Sequence, residues 1–138
     1  MTPPSETVAP SGAERRLVRG ATRTHDFSVG ESETARFIGG DVDALSTPVL
    51  MYWVELVASQ LIRSESEGEC GSVGVRVDVQ HTGAAHPGDR VTVTVTVAAI
   101  IWGMVRFTVR VTDETGSVTL MEGRHDRALV RNDASHRR

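Results

Sequence analysis

Four segments in which valine alternates with polar residues constrain the fold of this chain more than any other feature. They cover residues 72–81, 90–102, 105–111 and 118–130. Successive side chains of a β-strand point to opposite faces of a sheet, so this alternation predicts strands with one buried face. Turn-forming runs such as His86-Pro87-Gly88-Asp89 separate the segments. We therefore predict an antiparallel meander.

A long helix is predicted before these strands. Ser46-Thr47-Pro48 is typical of a helix start, because a hydroxyl caps the first free amides and proline suits the first turn. The helix should run from Val49 to about Glu65 and end before Gly68. At about 100° per residue, it carries two apolar stripes. The first stripe contains Leu50, Trp53, Val54, Val57 and Leu61, and the second contains Met51, Ala58 and Ile62.

A helix that is apolar on two sides predicts a sheet curled around it and a partner subunit over the second stripe. A short strand at 24–29 precedes the helix, and no strand–helix–strand repeat appears, so a parallel sheet is not expected. The predicted class is therefore α+β. A length of 138 residues allows one domain. We place it at 21–130, between disordered tails at 1–20 and 131–138 that lack periodicity.

Composition excludes several functional classes. The formal net charge is −3 and no basic stripe is present, so neither nucleic acid nor an anionic membrane is an expected partner. No apolar run approaches the roughly 20 residues that span a bilayer, and the first 20 residues lack the apolar run of a signal peptide. Cys70 is the only cysteine and has no partner for an intrachain disulfide, which favours a reducing compartment. We expect a cytoplasmic protein.

Glu55 and His81 are the polar residues that the pattern places against the core. Glu55 falls on the second helix stripe, where a carboxylate loses hydration, and such acids are often general acids, bases or nucleophiles. The alternative is a glutamate at the helix edge, in solvent or paired with an arginine. If side chains alternate regularly along the strand from Val73, His81 faces the helix, so we expect it to contact Glu55. A core histidine bonded to a backbone carbonyl is the alternative.

Three more residues are candidates with simpler alternatives. Thr47 suits a helix cap, and it cannot bond Glu55 within an ideal helix because eight residues rise about 12 Å. The same regular alternation places Gly74 on the face opposite His81; a strand glycine lets a ligand approach the backbone closely, or else marks a bulge. Arg127 could hold phosphate, pair with Glu55, or lie on the surface.

No other catalytic or metal-binding motif is evident. The remaining histidines are scattered and lack cysteine partners, so no zinc site is expected. A glycine-rich phosphate loop and a Gly-x-Ser-x-Gly nucleophile elbow are both missing.

Four short segments together carry a family resemblance. They are Thr24-His25-Asp26-Phe27; Ser46-Thr47-Pro48 with Trp53-Val54-Glu55; Gly74 with Gln80-His81-Thr82-Gly83-Ala84-Ala85-His86-Pro87-Gly88; and Arg124-His125-Asp126-Arg127-Ala128. In residue type and spacing they resemble the fluoroacetyl-CoA thioesterase-like branch of the hot-dog-fold thioesterases. The resemblance spans about residues 24–130.

The resemblance implies a hot-dog fold, in which an antiparallel sheet wraps one long helix and subunits pair through their sheets. It implies hydrolysis of an acyl-CoA or acyl-carrier thioester by Thr47, Glu55 and His81, with Gly74 and Arg127 binding substrate. It further implies a homodimer or higher homo-oligomer with no cofactor besides the CoA of the substrate. A non-catalytic acyl-CoA-binding module and an enoyl-CoA hydratase of the same fold are the alternatives. The hydratases carry an Asp/His motif that we do not find here.

One segment departs from the family pattern. The fluoroacetate-specific relative has a phenylalanine-rich lid before its threonine, whereas this chain reads Ile38-Gly39-Gly40-Asp41-Val42-Asp43. Glycines loosen a loop, and aspartates are costly to bury against an apolar pocket. We therefore expect a larger acyl group than fluoroacetyl.

Overall fold

The computed structural model describes residues 16–131, and within that range it contains five strands, one long helix and a short 3-10 helix at Glu31–Glu33. The long helix, α1, spans Thr47–Glu65. The strands are β1 at Thr22–Ser28, β2 at Cys70–His81, β3 at Arg90–Ile101, β4 at Met104–Asp113 and β5 at Thr119–Arg131. Each predicted element exists, with ends within two residues of the prediction. The α+β class is confirmed.

All strand pairs are antiparallel, and the sheet order is β1-β3-β4-β5-β2. The predicted meander is correct for β3, β4 and β5. It is wrong for β2, which pairs with β5 and forms an edge of the sheet. The physical reason is the connection over 82–89, which is too long to force a hairpin and is held beside β5 by bonds from the Thr82 and Gly83 amides to the Leu120 carbonyl.

Helix α1 begins with a serine cap rather than a threonine cap. The Ser46 hydroxyl accepts a hydrogen bond from the Val49 amide at 3.3 Å, and Thr47 is the first helical residue. This arrangement leaves the Thr47 side chain available for another partner. The helix ends before Gly68, whose φ of 82° suits a residue without a side chain.

The sheet covers more of the helix than we expected. Ala58 and Ile62, both on the second apolar stripe, are fully buried within one chain, and Met51 packs partly against the same core. The prediction that this stripe needs a partner subunit is therefore wrong. The reason is the curl of the sheet around α1, which buries both stripes. Apolar side chains stand exposed instead on the edge strand β2, at Val73 and Val75.

A β-bulge interrupts β2. The pairing with β5 shifts between Gly74 and Arg76, so an extra residue is inserted into the strand. Regular alternation from Val73 fails here: Val73 is 56% exposed, and Gly74 rather than Val73 shares the inner face with His81. The prediction that Gly74 lies opposite His81 is wrong, because the bulge changes the parity of the strand.

The predicted tails fall mostly outside the described residues, at 1–15 and 132–138. Within the described range, the folded unit begins earlier than residue 21. Leu17 is buried in the core, and the Gly20 amide bonds the Val97 carbonyl. Leu17 and Val18 are two adjacent apolar residues in a polar stretch and show no periodicity, so the sequence pattern could not reveal this contact.

Candidate active site

Thr47 and His81 form one half of the candidate site. The Thr47 Oγ1 and His81 Nδ1 atoms lie 2.7 Å apart, a short hydrogen bond between the first residue of α1 and the last residue of β2. Two tautomers satisfy this bond, since a hydroxyl both donates and accepts. The predicted role of Thr47 as more than a cap gains a geometric basis, because Ser46 performs the capping.

Glu55 forms the other half, together with Arg127 of β5. Arg127 Nη1 donates to Glu55 Oε2 at 3.3 Å. The arginine side chain is only 8% exposed, whereas that of Glu55 is 41% exposed. The expected contact between Glu55 and His81 is not found within one chain: each has a different partner. Pairing with an arginine was one of the alternatives that the sequence left open.

The Arg127 guanidinium is held on all sides by neighbouring polar groups. Its Nε donates to the Ser72 hydroxyl at 2.7 Å and its Nη2 to the Ser72 carbonyl at 3.1 Å. Nη1 also lies 3.2 Å from His125 Nε2. On the far side of that ring, His125 Nδ1 lies 2.7 Å from the Arg76 carbonyl. These contacts form a continuous series of hydrogen bonds from the Arg76 carbonyl of β2 through His125 and Arg127 to Glu55.

Burial shifts the pKa of two members of this cluster, His125 and Arg127. Removal from water lowers the pKa of His125 below its usual value, and the nearby charge of Arg127 lowers it further, against the opposing effect of the Arg76 carbonyl. Burial also lowers the pKa of Arg127, and the Glu55 carboxylate opposes this shift. Both shifts disfavour the charged form of a buried group.

Gly74 lies under the Glu55 carboxylate. A Cβ atom at this position would overlap Glu55 Oε2 and come within 3.2 Å of Arg127 Nη1. The absence of a side chain at Gly74 thus lets the Glu55 carboxylate rest against the backbone at the bulge of β2, and any larger residue would displace it. Sequence analysis had singled out Gly74 for close approach, although by a ligand and on the other face.

The two halves of the site are separate within one chain. Thr47 and Glu55 lie on the same helix, eight residues and about 12 Å apart. A depression of about 400 Å³ adjoins the first half, lined by Thr47, His81 and the loop 35–44 among others. That loop exposes Phe37, Ile38 and Val42 at its surface. Glu55 does not line this depression.

Residues 16–131 contain neither a membrane-spanning helix nor a cluster of metal ligands. No helix in that range is long and apolar enough to cross a membrane. No group of three or more histidine, cysteine, aspartate or glutamate side chains in it is placed to hold a metal ion.

Comparison with known proteins identifies the family. The model for fluoroacetyl-CoA-specific thioesterases matches residues 29–133. The chain belongs to this family. It is 25% identical to the fluoroacetyl-CoA thioesterase FlK, with a TM-score of 0.75 over 83% of this chain and 89% of that one. A mutant of FlK in complex with fluoroacetate and CoA gives 25% identity and a TM-score of 0.73, over 84% of this chain and 97% of that one.

A hot-dog-like protein from Thermanaerovibrio acidaminovorans shares the fold at 23% identity, with a TM-score of 0.78 over 89% of this chain and 90% of that one. No curated protein matches the chain at a comparable level. The protein is thus a thioester hydrolase of the hot-dog fold. The predicted family, fold and enzyme class are confirmed.

Sequence reasoning missed two residues of the cluster, Ser72 and His125. Ser72 is the first residue of the predicted strand 72–81, and His125 belongs to the Arg124-His125-Asp126-Arg127-Ala128 segment, but the sequence pattern assigns neither a place in the site. A histidine two residues before an arginine on an alternating strand shares its face, and that spacing is the signal that could have paired them.

Proposed function

We propose that this protein is an acyl-CoA thioesterase that acts on a small or medium acyl group, with Thr47, Glu55 and His81 as catalytic residues. The observation that carries the proposal is the fixed arrangement of these side chains: a Thr47–His81 bond of 2.7 Å and a Glu55 carboxylate held by Arg127 at 3.3 Å. FlK, 25% identical, binds fluoroacetate and CoA in the mutant complex. An acyl-carrier thioester would present the same bond.

The complete site would lie in a groove between two copies of the chain. About 12 Å of helix separates Thr47 from Glu55, too far for both to contact one reacting carbonyl. In a symmetric dimer, the Thr47–His81 pair of one copy would face Glu55 of the other. The free edge of β2, with Val73 and Val75 exposed, offers the surface through which two sheets would join.

The reaction would begin with polarisation of the thioester carbonyl by a backbone amide near Gly74 and by the Thr47 hydroxyl. In one route Glu55 attacks the carbonyl carbon and expels the thiolate, and water then cleaves the resulting mixed anhydride to give the free acid and regenerate Glu55. In the other route Glu55 takes a proton from a water that attacks the carbonyl carbon, and the C–S bond breaks to release the thiolate. One carboxylate oxygen, Oε2, is engaged by Arg127, so Oε1 would make the reactive contact. His81 would donate a proton to the leaving thiolate and take one from water.

The roles proposed for Gly74 and Arg127 extend to substrate. Gly74 keeps the backbone of β2 open beside Glu55, which suits a carbonyl lying against its amide. Arg127 is directed at Glu55 and Ser72, so its contribution to substrate binding would come through the orientation of Glu55. No cofactor besides the CoA of the substrate enters this scheme, and we propose that it operates in the cytoplasm.

We propose a preference for acyl groups larger than fluoroacetyl. The depression next to Thr47 and His81 is bordered by the loop 35–44. Phe37, at 67% exposed, is the one aromatic residue of that loop, and the two glycines and two aspartates follow it. Selection would therefore rest on pocket volume, where one methylene is worth about 1–3 kcal/mol.

Turnover of a panel of acyl-CoAs, followed by release of free thiol, tests the proposal. We expect hydrolysis of acetyl-, butyryl-, hexanoyl- or phenylacetyl-CoA, with kcat/KM for fluoroacetyl-CoA less than about 100-fold above that for acetyl-CoA. Glu55→Gln and His81→Ala should each lower kcat by at least about 10²-fold, and the exposed His86→Ala is the control. Binding of acyl-CoA without thiol release would favour the non-catalytic module. Hydration of enoyl-CoA would favour the hydratase.

A further inference from the structure

His125 is a polar side chain with no exposed surface, on β5 between β4 and the edge strand β2. Its ring lies over Phe107 of β4, with the ring centres 6.4 Å apart, and both of its nitrogens have partners. Nδ1 faces the Arg76 carbonyl, which only accepts, so Nδ1 must carry a proton. Nε2 faces an N–H of Arg127, which only donates, so Nε2 must be unprotonated. The contacts therefore specify one neutral tautomer.

The bulge in β2 makes this arrangement possible. Carbonyl groups of a regular antiparallel ladder point along the sheet toward the next strand. The ladder is disrupted between Gly74 and Arg76, and the Arg76 carbonyl is thereby available to an imidazole on the inner face. The same bulge places Gly74 beneath the Glu55 carboxylate. The bulge thus allows both the bond between His125 and the Arg76 carbonyl and the close approach of Glu55 to Gly74.

Arg127 connects Ser72 and His125 to Glu55 through hydrogen bonds. Four of the five guanidinium N–H groups are directed to partners: Nε and Nη2 to Ser72, and the two of Nη1 to His125 and Glu55. A rigid, planar fork with four directed bonds has little freedom to rotate. Glu55, whose side chain is more exposed than that of Arg127, is bonded to this fork through Oε2.

We propose that His125 and Ser72 are positioning residues, which hold Arg127 and through it the Glu55 carboxylate in the orientation that thioester hydrolysis requires. This inference rests on the proposed role of Glu55. Neither side chain would touch substrate. Their effect would appear in kcat, because a carboxylate that is misplaced by about 1 Å costs up to about 10²-fold in rate.

The neutral ring is part of the proposal. A proton on Nε2 would replace an accepted hydrogen bond with a contact between two cations. The charged groups around the ring are Arg127 on β5, Glu55 on α1 and Asp126, which faces outward to Arg106 of β4. From β2 the ring bonds the Arg76 carbonyl, and Phe107 adds no charge. We therefore expect an acid-side loss of kcat that depends on His125.

Paired substitutions separate the two nitrogens of the ring. Glutamine places its amide oxygen near Nε2 and can accept from Arg127, whereas asparagine places its amide near Nδ1 and bonds only the Arg76 carbonyl. We expect His125→Asn to lower kcat about 10- to 100-fold with little change in KM, and His125→Gln to restore most of it. His125→Gln should also remove the part of the acid-side fall in kcat that depends on His125, so that its kcat–pH profile keeps only the fall due to the proposed catalytic groups Glu55 and His81. His86→Asn, in an exposed turn, is the matched control.

Ser72→Ala covers the case in which a His125 variant fails to fold. It removes one hydroxyl acceptor from a partly exposed position and leaves the Ser72 carbonyl in place. The expected result is a fall in kcat of several-fold without loss of folded protein. Equal kcat in the parent, Ser72→Ala and His125→Asn would overturn the proposal, as would a His125→Gln variant no better than His125→Asn.

Nitrogen-15 NMR tests the contacts without any substrate. At pH 7 the His125 ring should be neutral and protonated on Nδ1, and the Arg127 Nε proton should exchange slowly. His125→Asn and Ser72→Ala should each accelerate that exchange. A charged ring, or the other neutral tautomer, would refute the network even in an active enzyme. The expected spectra in a protein that hydrolyses none of the thioesters would instead refute the proposed function and leave the network standing.

Discussion

Replacing Glu55 with glutamine should destabilise the protein, although the sequence pattern alone suggests the opposite. A carboxylate on an apolar stripe costs free energy to desolvate, so its removal should leave stability unchanged or raise it. The structure adds Arg127, whose side chain is 8% exposed and lies 3.3 Å from the Glu55 carboxylate. Without that carboxylate, the buried Arg127 guanidinium has no negatively charged group among its hydrogen-bond partners, because the other two partners are Ser72 and His125.

The exposure of the two side chains sets the size of the effect. Breaking a fully buried ion pair by removal of one partner costs about 3–5 kcal/mol, and an exposed pair contributes about 0–1 kcal/mol. Glu55 is 41% exposed, so the pair lies between these limits. Glutamine retains an amide oxygen that accepts from Nη1. We expect Glu55→Gln to lower the free energy of unfolding by about 1–2 kcal/mol, or the Tm by roughly 3–10 °C.

Thermal unfolding at one fixed protein concentration measures this change, since dimerisation would make the Tm depend on concentration. Arg127→Met and the Glu55→Gln/Arg127→Met double variant complete a cycle that isolates the pair. The double variant should be more stable than the sum of the single effects predicts. Glu122→Gln, at an exposed position on β5, controls for loss of one negative charge. A Tm for Glu55→Gln at or above that of the parent would refute the reasoning.

Two further predictions concern the geometry of the site. Gly74→Ala should lower kcat by about 10²-fold in the thiol-release assay, because the added Cβ overlaps Glu55 Oε2; full activity would show that Glu55 works from another position. Refolding a mixture of Glu55→Gln and His81→Ala chains should recover about a quarter of parental activity, because half of the dimers then hold one intact site of two. No recovery would contradict the proposed sharing of the site between two copies of the chain.

Most of the fold could be predicted from the sequence because its signals are local. Valine alternation specifies the strands, and Ser46-Thr47-Pro48 followed by a two-stripe apolar pattern specifies α1. The neighbours of β2 could not be predicted in the same way. Strand order depends on which edge of the sheet the chain reaches after the connection over 82–89, and the alternation of apolar residues carries no information about that edge.

The sequence indicates the residues of the candidate site, but it does not predict which of them contact each other. The family resemblance indicates Thr47, Glu55 and His81, and two assumptions then linked them incorrectly. The first was that inward-facing polar residues pair with each other, whereas Glu55 has Arg127 and His81 has Thr47. The second was that β2 keeps its parity from Val73 to His81, whereas the bulge before Arg76 reverses it.

The bulge explains why local rules fail at this point of the chain. A regular β2 would satisfy the alternating pattern, yet it would turn Gly74 away from α1 and leave the Arg76 carbonyl in the ladder. In the bulged strand, regular pairing is lost at one residue and Val75 is exposed. The bulge also lets the Glu55 carboxylate contact the backbone at Gly74, and it provides the Arg76 carbonyl as an acceptor for His125. Departures from local consistency are expected at functional sites. The position of this departure, within the contacts of Glu55, is an argument that the cluster around Arg127 serves catalysis as well as folding.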